Sequence, residues 1–269
     1  MPVSYLITGA SKGIGLEFVN QLSLVQDTLV FGLVRNLDTS VKLRDLQSQR
    51  KNIHIVTADI SNVEELSNAA KQVSSVTGGS LDWLINNAGF IEPLNFFFSF
   101  PEYPAEAMAK DMRASYDVNV IGAAQVINAF LPLLRAGKAK KVIALGSGLG
   151  DDEFTKQVGL AINGPYSISK YALNLMMLKY SESLKNEGFI FLTISPGVVN
   201  TSEGRPSTAE IQAAYMKMFG QFKAVYPDWA GPLTPGESVK QMLDVFSQLK
   251  PEHSGNFCSQ FGPTSRRWL

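Results

Sequence analysis

Tyr166 and Lys170 stand four residues apart in "YSISK", at the start of a helical pattern. That spacing sets both side chains on one helix face, about a turn apart. A phenol titrates near about 10 and a lysine ammonium near about 10.4. An ammonium held beside a phenol favours the phenolate and lowers the phenol toward working pH. Such a phenol can give a proton to a carbonyl oxygen or take one from an alcohol. Ser147 closes the apolar run "KKVIALGS". Its hydroxyl suits the stabilisation of charge developing on a substrate oxygen. By itself, Y-x-x-x-K equally describes a solvated pair on a surface helix.

A second constellation opens the chain. "VSYLI" leads into "TGASKGIG" (8–15), which runs into "LEFVNQLSLV". The order is strand, glycine-rich turn and helix start. Gly9, Gly13 and Gly15 give T-G-x-x-x-G-x-G spacing. Glycine permits the tight turn and a close backbone approach to a pyrophosphate, and the helix starting near Ile14 aims its free N–H groups at that charge. Turns of this kind also occur without a ligand.

These groups need a scaffold, and the apolar pattern describes one. Strand candidates are "VSYLIT" (3–8), "TLVFGLV" (28–34), "NIHIVTAD" (52–59), "LDWLINN" (81–87), "KKVIALGS" (140–147), "FIFLTISPG" (189–197) and "SGNFCSQ" (254–260). Most are continuous apolar runs, as parallel strands buried on both faces require. Helical patterns separate them at Ile14–Leu24, Asn62–Val76, 107–134 (two helices or one bent one) and Pro165–Glu187. The alternation predicts an α/β fold: a doubly wound, mostly parallel seven-stranded sheet with helices on both faces. No linker or repeat divides residues 1–269, so one domain is expected. The Pro-, Gly- and aromatic-rich stretch 201–236 breaks the rhythm and reads as a lid over a pocket.

Bulk composition narrows the function classes. Lys+Arg and Asp+Glu are both 24, so a nucleic-acid-binding surface is not expected. One cysteine, Cys258, allows no intrachain disulfide, which fits a reducing compartment. With His54, His253 and Cys258 far apart in sequence, no metal site is expected. The N-terminus lacks the basic region of a secretory signal, and no window reads as a membrane span. The expected address is cytoplasmic.

In order along the chain come "TGASKGIG", "ADIS" around Asp59, "NNAG" (86–89), "YDVNVIG" around Asn119, "ALGSGLG" around Ser147, "YSISK" (166–170) and "SPGVVNT" (195–201). Together these resemble the short-chain dehydrogenase/reductase family in its single-domain form. The resemblance implies a tetrad of Asn119, Ser147, Tyr166 and Lys170. In it Tyr166 exchanges the proton while hydride moves at the nicotinamide, and Lys170 also holds the nicotinamide ribose. Asn119 matches an asparagine that binds a water relaying protons to the lysine, or it is a satisfied helix-interior amide. The resemblance also implies cofactor contacts from the glycine turn (Ser11, Lys12, Ile14) and from Asp59 and Ile60 at the adenine. Asn87, Ala88 and Gly89 line the adenosine ribose, and Pro196, Gly197, Val199 and Thr201 the nicotinamide end. Asp59 has a competing reading as the cap of the helix beginning "SNVEE".

At the end of the second strand, where an NAD(H) site places an acid on the ribose hydroxyl, the chain has Val34 followed by Arg35. A guanidinium there suits a 2′-phosphate, and Lys12 adds a second cation. NADP(H) is therefore expected over NAD(H), although either residue alone reads as an ordinary surface cation.

Two stretches depart from the family pattern. The serine-to-tyrosine spacing is longer than the family commonly has, the extra residues lying within 151–165. That length resembles the carbonyl reductase and fungal polyketide-ketoreductase branches. In the second, "FIEPLNFFFSFPEYPAE" (90–106), Phe96, Phe97, Phe98 and Phe100 cluster beside "NNAG". With aromatic residues of 215–229 they either wall an apolar or aromatic substrate pocket or serve ordinary lid and subunit-interface packing. Helices near 110–136 and 165–187 resemble those that pair subunits in relatives, implying a homodimer or homotetramer. The leading expectation is reduction of a ketone or aldehyde, or the reverse dehydrogenation of an alcohol. The alternatives are C=N, C=C or cyclisation chemistry at the same site, and a non-catalytic NADPH-binding sensor or scaffold.

Overall fold

The computed structural model of the protein describes residues 2–201 and 208–269. In chain order the elements are β1 (Val3–Thr8), α1 (Gly13–Leu22), β2 (Thr28–Val34), α2 (Val41–Gln49), β3 (Ile53–Thr57), α3 (Val63–Thr77), β4 (Trp83–Asn86), α4 (Ala105–Tyr116), α5 (Ala123–Ala136), β5 (Lys141–Leu145), α6 (Asp152–Val158), α7 (Gly164–Leu184), β6 (Ile190–Ser195), α8 (Ala209–Val225), α9 (Pro235–Ser247) and β7 (Phe257–Ser259). The seven strands form one parallel sheet in the order β3-β2-β1-β4-β5-β6-β7.

Continuous apolar strands follow from burial on both faces. Alternate residues of one strand enter different cores: Leu6, Leu84 and Val142 pack under α3, α5 and α7, while Ile7, Ile85 and Ile143 pack under α1 and α9. Strand order reverses between β1 and β4, and the crevice beyond their C-terminal ends is where this architecture binds ligands. The glycine turn, the "NNAG" segment and the Ser147 turn all leave the sheet at that edge.

The run 105–136 is one helical path with a π-helical turn at Asp117–Gly122 between α4 and α5. Gly122 faces Ile60 there, and a Cβ on it would stand 2.7 Å from Ile60 Cδ1. By length and composition this run is apolar enough to cross a bilayer, contrary to the expectation that no window is. Its apolar face, Val126, Ile127 and Phe130, is instead packed into the core, and core helices meet the same criterion.

Several helices were not anticipated. Short α2 buries only Leu43, too little to show a periodic face. The 151–165 stretch contains α6, capped by Asp151 and ended by Gly159 at φ +63°. The expected lid contains α8, and α9 follows with a capping box from Thr234 and Glu237. Residues 202–207 of that expected lid lie outside the described residues.

Candidate active site

Lys170 is buried on α7, and its Nζ donates a 2.8 Å hydrogen bond to the Leu145 carbonyl at the end of β5. The same Nζ lies 5.5 Å from the centroid of the Tyr166 ring. Ser147, just past β5, lies close enough to the Tyr166 phenol to affect its acidity, and its Oγ accepts from Leu149 N at 3.2 Å. Hydroxyl, phenol and ammonium therefore meet at one strand end.

Their acidities differ from the expectation of a lowered phenol. Burial pushes Tyr166 up to about 12, and the nearby Ser147 hydroxyl only partly opposes this. Burial also pulls Lys170 down to about 8. Both groups sit in a dry site that disfavours either charged form. Tyr166 consequently stands fully protonated near neutrality, the form a proton donor needs.

Asn119 lies in the π-helical turn and is 1% exposed. Its Oδ1 accepts from Phe90 N at 2.7 Å, while Nδ2 donates to Phe90 O at 2.9 Å and to Ser169 Oγ at 2.8 Å. Ser169 Oγ donates on to Tyr166 O at 2.7 Å. The side chain thus has protein partners at both of its polar atoms. It pins the segment after "NNAG" to the Tyr166 helix.

The glycine turn is built for close packing. A Cβ on Gly15 would stand 2.4 Å from both Asn87 Nδ2 and Gly9 O, and one on Gly9 2.9 Å from Ala88 Cα. Asn87 Nδ2 donates to Thr8 O at 2.8 Å, and Thr8 Oγ1 accepts from both Asn87 N and Ala88 N at 3.0 Å. Thr8 is thus a positioning residue not singled out from sequence. Gly89 lies against Asn119 and the Lys170 ammonium: its Cβ would be 3.2 Å from Asn119 Oδ1 and 3.5 Å from Lys170 Nζ.

The arrangement leaves room and charge for the pyrophosphate of a dinucleotide. α1 begins with no side-chain cap and no acidic residue in its first turn, so its N–H groups and dipole are left for an anion. Lys12 and Arg35 are exposed, Ser11 and Ile14 half-buried around the same turn. Asp59 is not the cap of α3: Asn62 Oδ1 accepts from Glu64 N and Glu65 N. Asp59 Oδ1 instead accepts from Ser61 N and Oγ, which with the nearby Arg35 holds its carboxyl below the usual range. Ile60 packs against the core beside it.

On the opposite side, Pro196 O accepts from Ser238 Oγ at 2.7 Å, and Gly197 turns at φ +79° against Gln260. Val199 bridges to Leu233, and Thr201 lies against Gly13, whose Cβ would meet its Cγ2 at 3.3 Å. Ser195 Oγ, also missed from sequence, accepts from Gly148 N at 3.2 Å and ties the serine turn to β6.

The aromatic segments meet. Phe97 stands edge-on to Tyr215 at 4.8 Å between centroids, and Tyr215, Phe219 and Trp229 continue the contact chain. Phe100 lies on Gly164, where a Cβ would be 2.3 Å from its ring, and Ser99 bridges to Ile162. The 90–106 segment is thereby strapped to the start of the Tyr166 helix. The cluster packs α8 and flanks the phenol's helix.

A family profile described as short chain dehydrogenase matches residues 4–212. The chain is 40% identical over 268 residues to the short-chain dehydrogenase/reductase AacuF of Aspergillus aculeatus, covering 99% of each chain. It is 38% identical over 272 residues to the short chain dehydrogenase virK of Hypocrea virens, again covering 99% of each. Among solved structures it superposes on the NADPH-bound carbonyl reductase from chicken fatty liver with a TM-score of 0.77 and 26% identity, over 97% of this chain and 98% of that one. With the parallel sheet, the glycine turn and the Ser147–Tyr166–Lys170 cluster in place, the chain belongs to the short-chain dehydrogenase/reductase family of oxidoreductases.

Proposed function

We propose that this oxidoreductase is an NADPH-dependent reductase of a ketone or aldehyde whose carbonyl carries an apolar or aromatic body. The observation that carries the reading is the Ser147 hydroxyl close to the buried Tyr166 phenol, beside an ammonium anchored on Leu145 O. Tyr166 donates its proton to the carbonyl oxygen as that oxygen gains charge. Ser147 holds the same oxygen with its hydroxyl, stabilising it as it charges. Lys170 stabilises the phenolate left behind, and Asn119 with Ser169 fixes the helix turn from which Tyr166 projects. Val199 and Thr201 would hold a nicotinamide at its carboxamide end, and the cofactor, when bound, would supply the hydride for the carbonyl carbon.

NADPH over NADH is supported by Arg35 and Lys12 with no carboxylate at position 34, and by the NADPH carried by the chicken carbonyl reductase. The aromatic body of the substrate is supported by Phe96, Phe97 and Tyr215 beside the Tyr166 helix. A homodimer or homotetramer through α4, α5 and α7 is supported by their outer faces, where Tyr116, Ile121 and Leu175 are exposed around a shallow concavity.

The test is loss of NADPH absorbance against aliphatic ketones, diketones, quinones and polycyclic aromatic ketones, with NADH and Tyr166→Phe as controls. Turnover with NADPH that Tyr166→Phe lowers by about 100-fold or more is expected. Equal turnover by Tyr166→Phe would overturn the reading.

A further inference from the structure

Residues 266–269 fold back over the turn that carries Ser147. Trp268 is buried and stacks on Phe257 of β7, ring centroids 4.5 Å apart at 29°. It also rests on Gly148, where a Cβ would stand 3.0 Å from Trp268 Cβ and 3.2 Å from its Cγ. The residue directly after Ser147 has no side chain where the tryptophan takes its place. Arg266 forms an ion pair with Asp151, and its guanidinium lies 5.5 and 5.4 Å from the Phe257 and Trp268 ring centroids. Asp151 is 3% exposed, and its other oxygen accepts from Phe154 N at 2.7 Å. A carboxylate so buried is costly without a charged partner, and this partner comes from the far end of the chain. Arg267 reaches the other way, to Asp228 at 2.5 Å and over the Tyr226 ring at 5.8 Å, just beyond α8.

We propose that Asp151, Arg266 and Trp268 are positioning residues for Ser147, and that residues 266–268 form a bracket holding the serine turn against β7 in register with α8. The need for a bracket follows from the sequence of the turn. Gly146, Gly148 and Gly150 surround Ser147 and Leu149, so the turn has little side chain of its own to pack. Its rigidity must come from neighbours. Ser195 and the Lys170 backbone hold one side, the latter lying 3.0 Å from a Cβ built on Gly150. The 266–268 segment holds the other. A hydroxyl that drifts by about 1 Å loses its alignment on the substrate oxygen, an effect on the order of 100-fold in rate.

The kinetic consequence rests on the carbonyl-reductase reading, whereas the packing does not, so the test has two arms. Arg266→Ala, Arg266→Lys and Trp268→Ala are compared with wild type by steady-state kinetics, NADPH Kd and amide exchange of the peptide spanning 146–151. The alanine variants should lower kcat by about 10- to 100-fold, leave NADPH Kd within about twofold, and speed exchange in 146–151 but not in β1 or β4. Arg266→Lys, which keeps the charge, should recover most of kcat. Wild-type kcat in both alanine variants would overturn the proposal. So would a loss accompanied by equally weakened NADPH binding and faster exchange across the sheet. If the wild type reduces no carbonyl, the carbonyl reading fails and the exchange arm alone decides. Faster exchange confined to 146–151 then upholds the bracket, and unchanged exchange there overturns it.

Discussion

The Lys170 ammonium sits 2.8 Å from the carbonyl oxygen of Leu145, on the strand end that leads directly into Ser147. This bond references the Tyr166 helix to the sheet edge carrying the serine, so phenol, ammonium and hydroxyl share one frame. The arrangement is electrostatically expensive. Lys170 is 4% exposed, and desolvation alone accounts for its fall to about 8.

Lys170→Met should therefore raise stability while destroying activity. Between about pH 8 and the unfolded value of about 10.4, the unfolded chain binds more protons at this site, so wild-type stability rises with pH across that window. Below it, the buried charge costs about 3 kcal/mol. Methionine removes that penalty but leaves the Leu145 carbonyl without its donor, a loss of about 1–2 kcal/mol. A net gain of about 1–2 kcal/mol at pH 7, shrinking toward pH 10, is expected from thermal melts. Wild-type turnover should fall as pH rises through about 8, because the ammonium discharges while Tyr166 stays protonated.

Arg35 lies exposed at the end of β2 and close enough to Asp59 to lower its carboxyl. If it grips a 2′-phosphate, Arg35→Ala should weaken NADPH by about 10- to 100-fold, the worth of a charged hydrogen bond of about 1.5–3 kcal/mol. NADH affinity should hardly change. Arg35→Asp should invert the preference, since a carboxylate there repels the phosphate and accepts from a ribose hydroxyl. Cofactor titrations of the two variants check this, and equal losses for both cofactors would contradict it.

Gly15→Ala tests the seam between the glycine turn and "NNAG". Its methyl would enter within 2.4 Å of Asn87 Nδ2 and Gly9 O, groups already bonded to one another at 3.2 Å. Overpacking of this kind costs about 1–3 kcal/mol, and the displaced turn should bind NADPH at least about tenfold more weakly. Gly78→Ala is the control. At φ +70° with nothing within 4 Å of a Cβ, it should lose about 1–2 kcal/mol from backbone strain and keep full NADPH affinity.

Much of this was legible because parallel strands buried on both faces must be apolar throughout. "TLVFGLV" was anticipated at Thr28–Val34, its observed bounds. Weakly amphipathic elements were not legible. The sequence "VKLRDLQSQ" commits one leucine to the core, and aromatic α8 reads as an irregular lid. Partner choice was also invisible where it joins distant segments. Nothing in "YDVNVIG" says that Asn119 will bond Phe90 and Ser169, and nothing in "SRRWL" says that Arg266 will meet Asp151. The Tyr166 acidity was misjudged for a related reason. Sequence spacing reveals a neighbouring charge but not the desolvation that outweighs it.

Asp111 offers a way to loosen the aromatic segment without touching the phenol or its helix. Its buried Oδ2 accepts from Asn95 Nδ2 at 2.7 Å and from Tyr103 OH at 2.8 Å, clasping both ends of the stretch that carries Phe96 to Phe100. The same carboxylate, with burial, pushes the Tyr103 phenol far up, so this tyrosine serves as a neutral donor. Asp111→Ala strands the buried Tyr103 hydroxyl and the half-buried Asn95 amide and should cost about 2–3 kcal/mol, read by denaturant unfolding. Tyr103→Phe removes one bond together with its donor and should cost about 1 kcal/mol. If Phe96 and Phe97 wall the substrate, Asp111→Ala should raise KM severalfold for a polycyclic aromatic ketone and little for a small aliphatic one. kcat for the small substrate should stay close to wild type, because Ser147, Tyr166 and Lys170 keep their contacts. Equal KM changes for both substrates would instead assign the aromatic segment to packing alone.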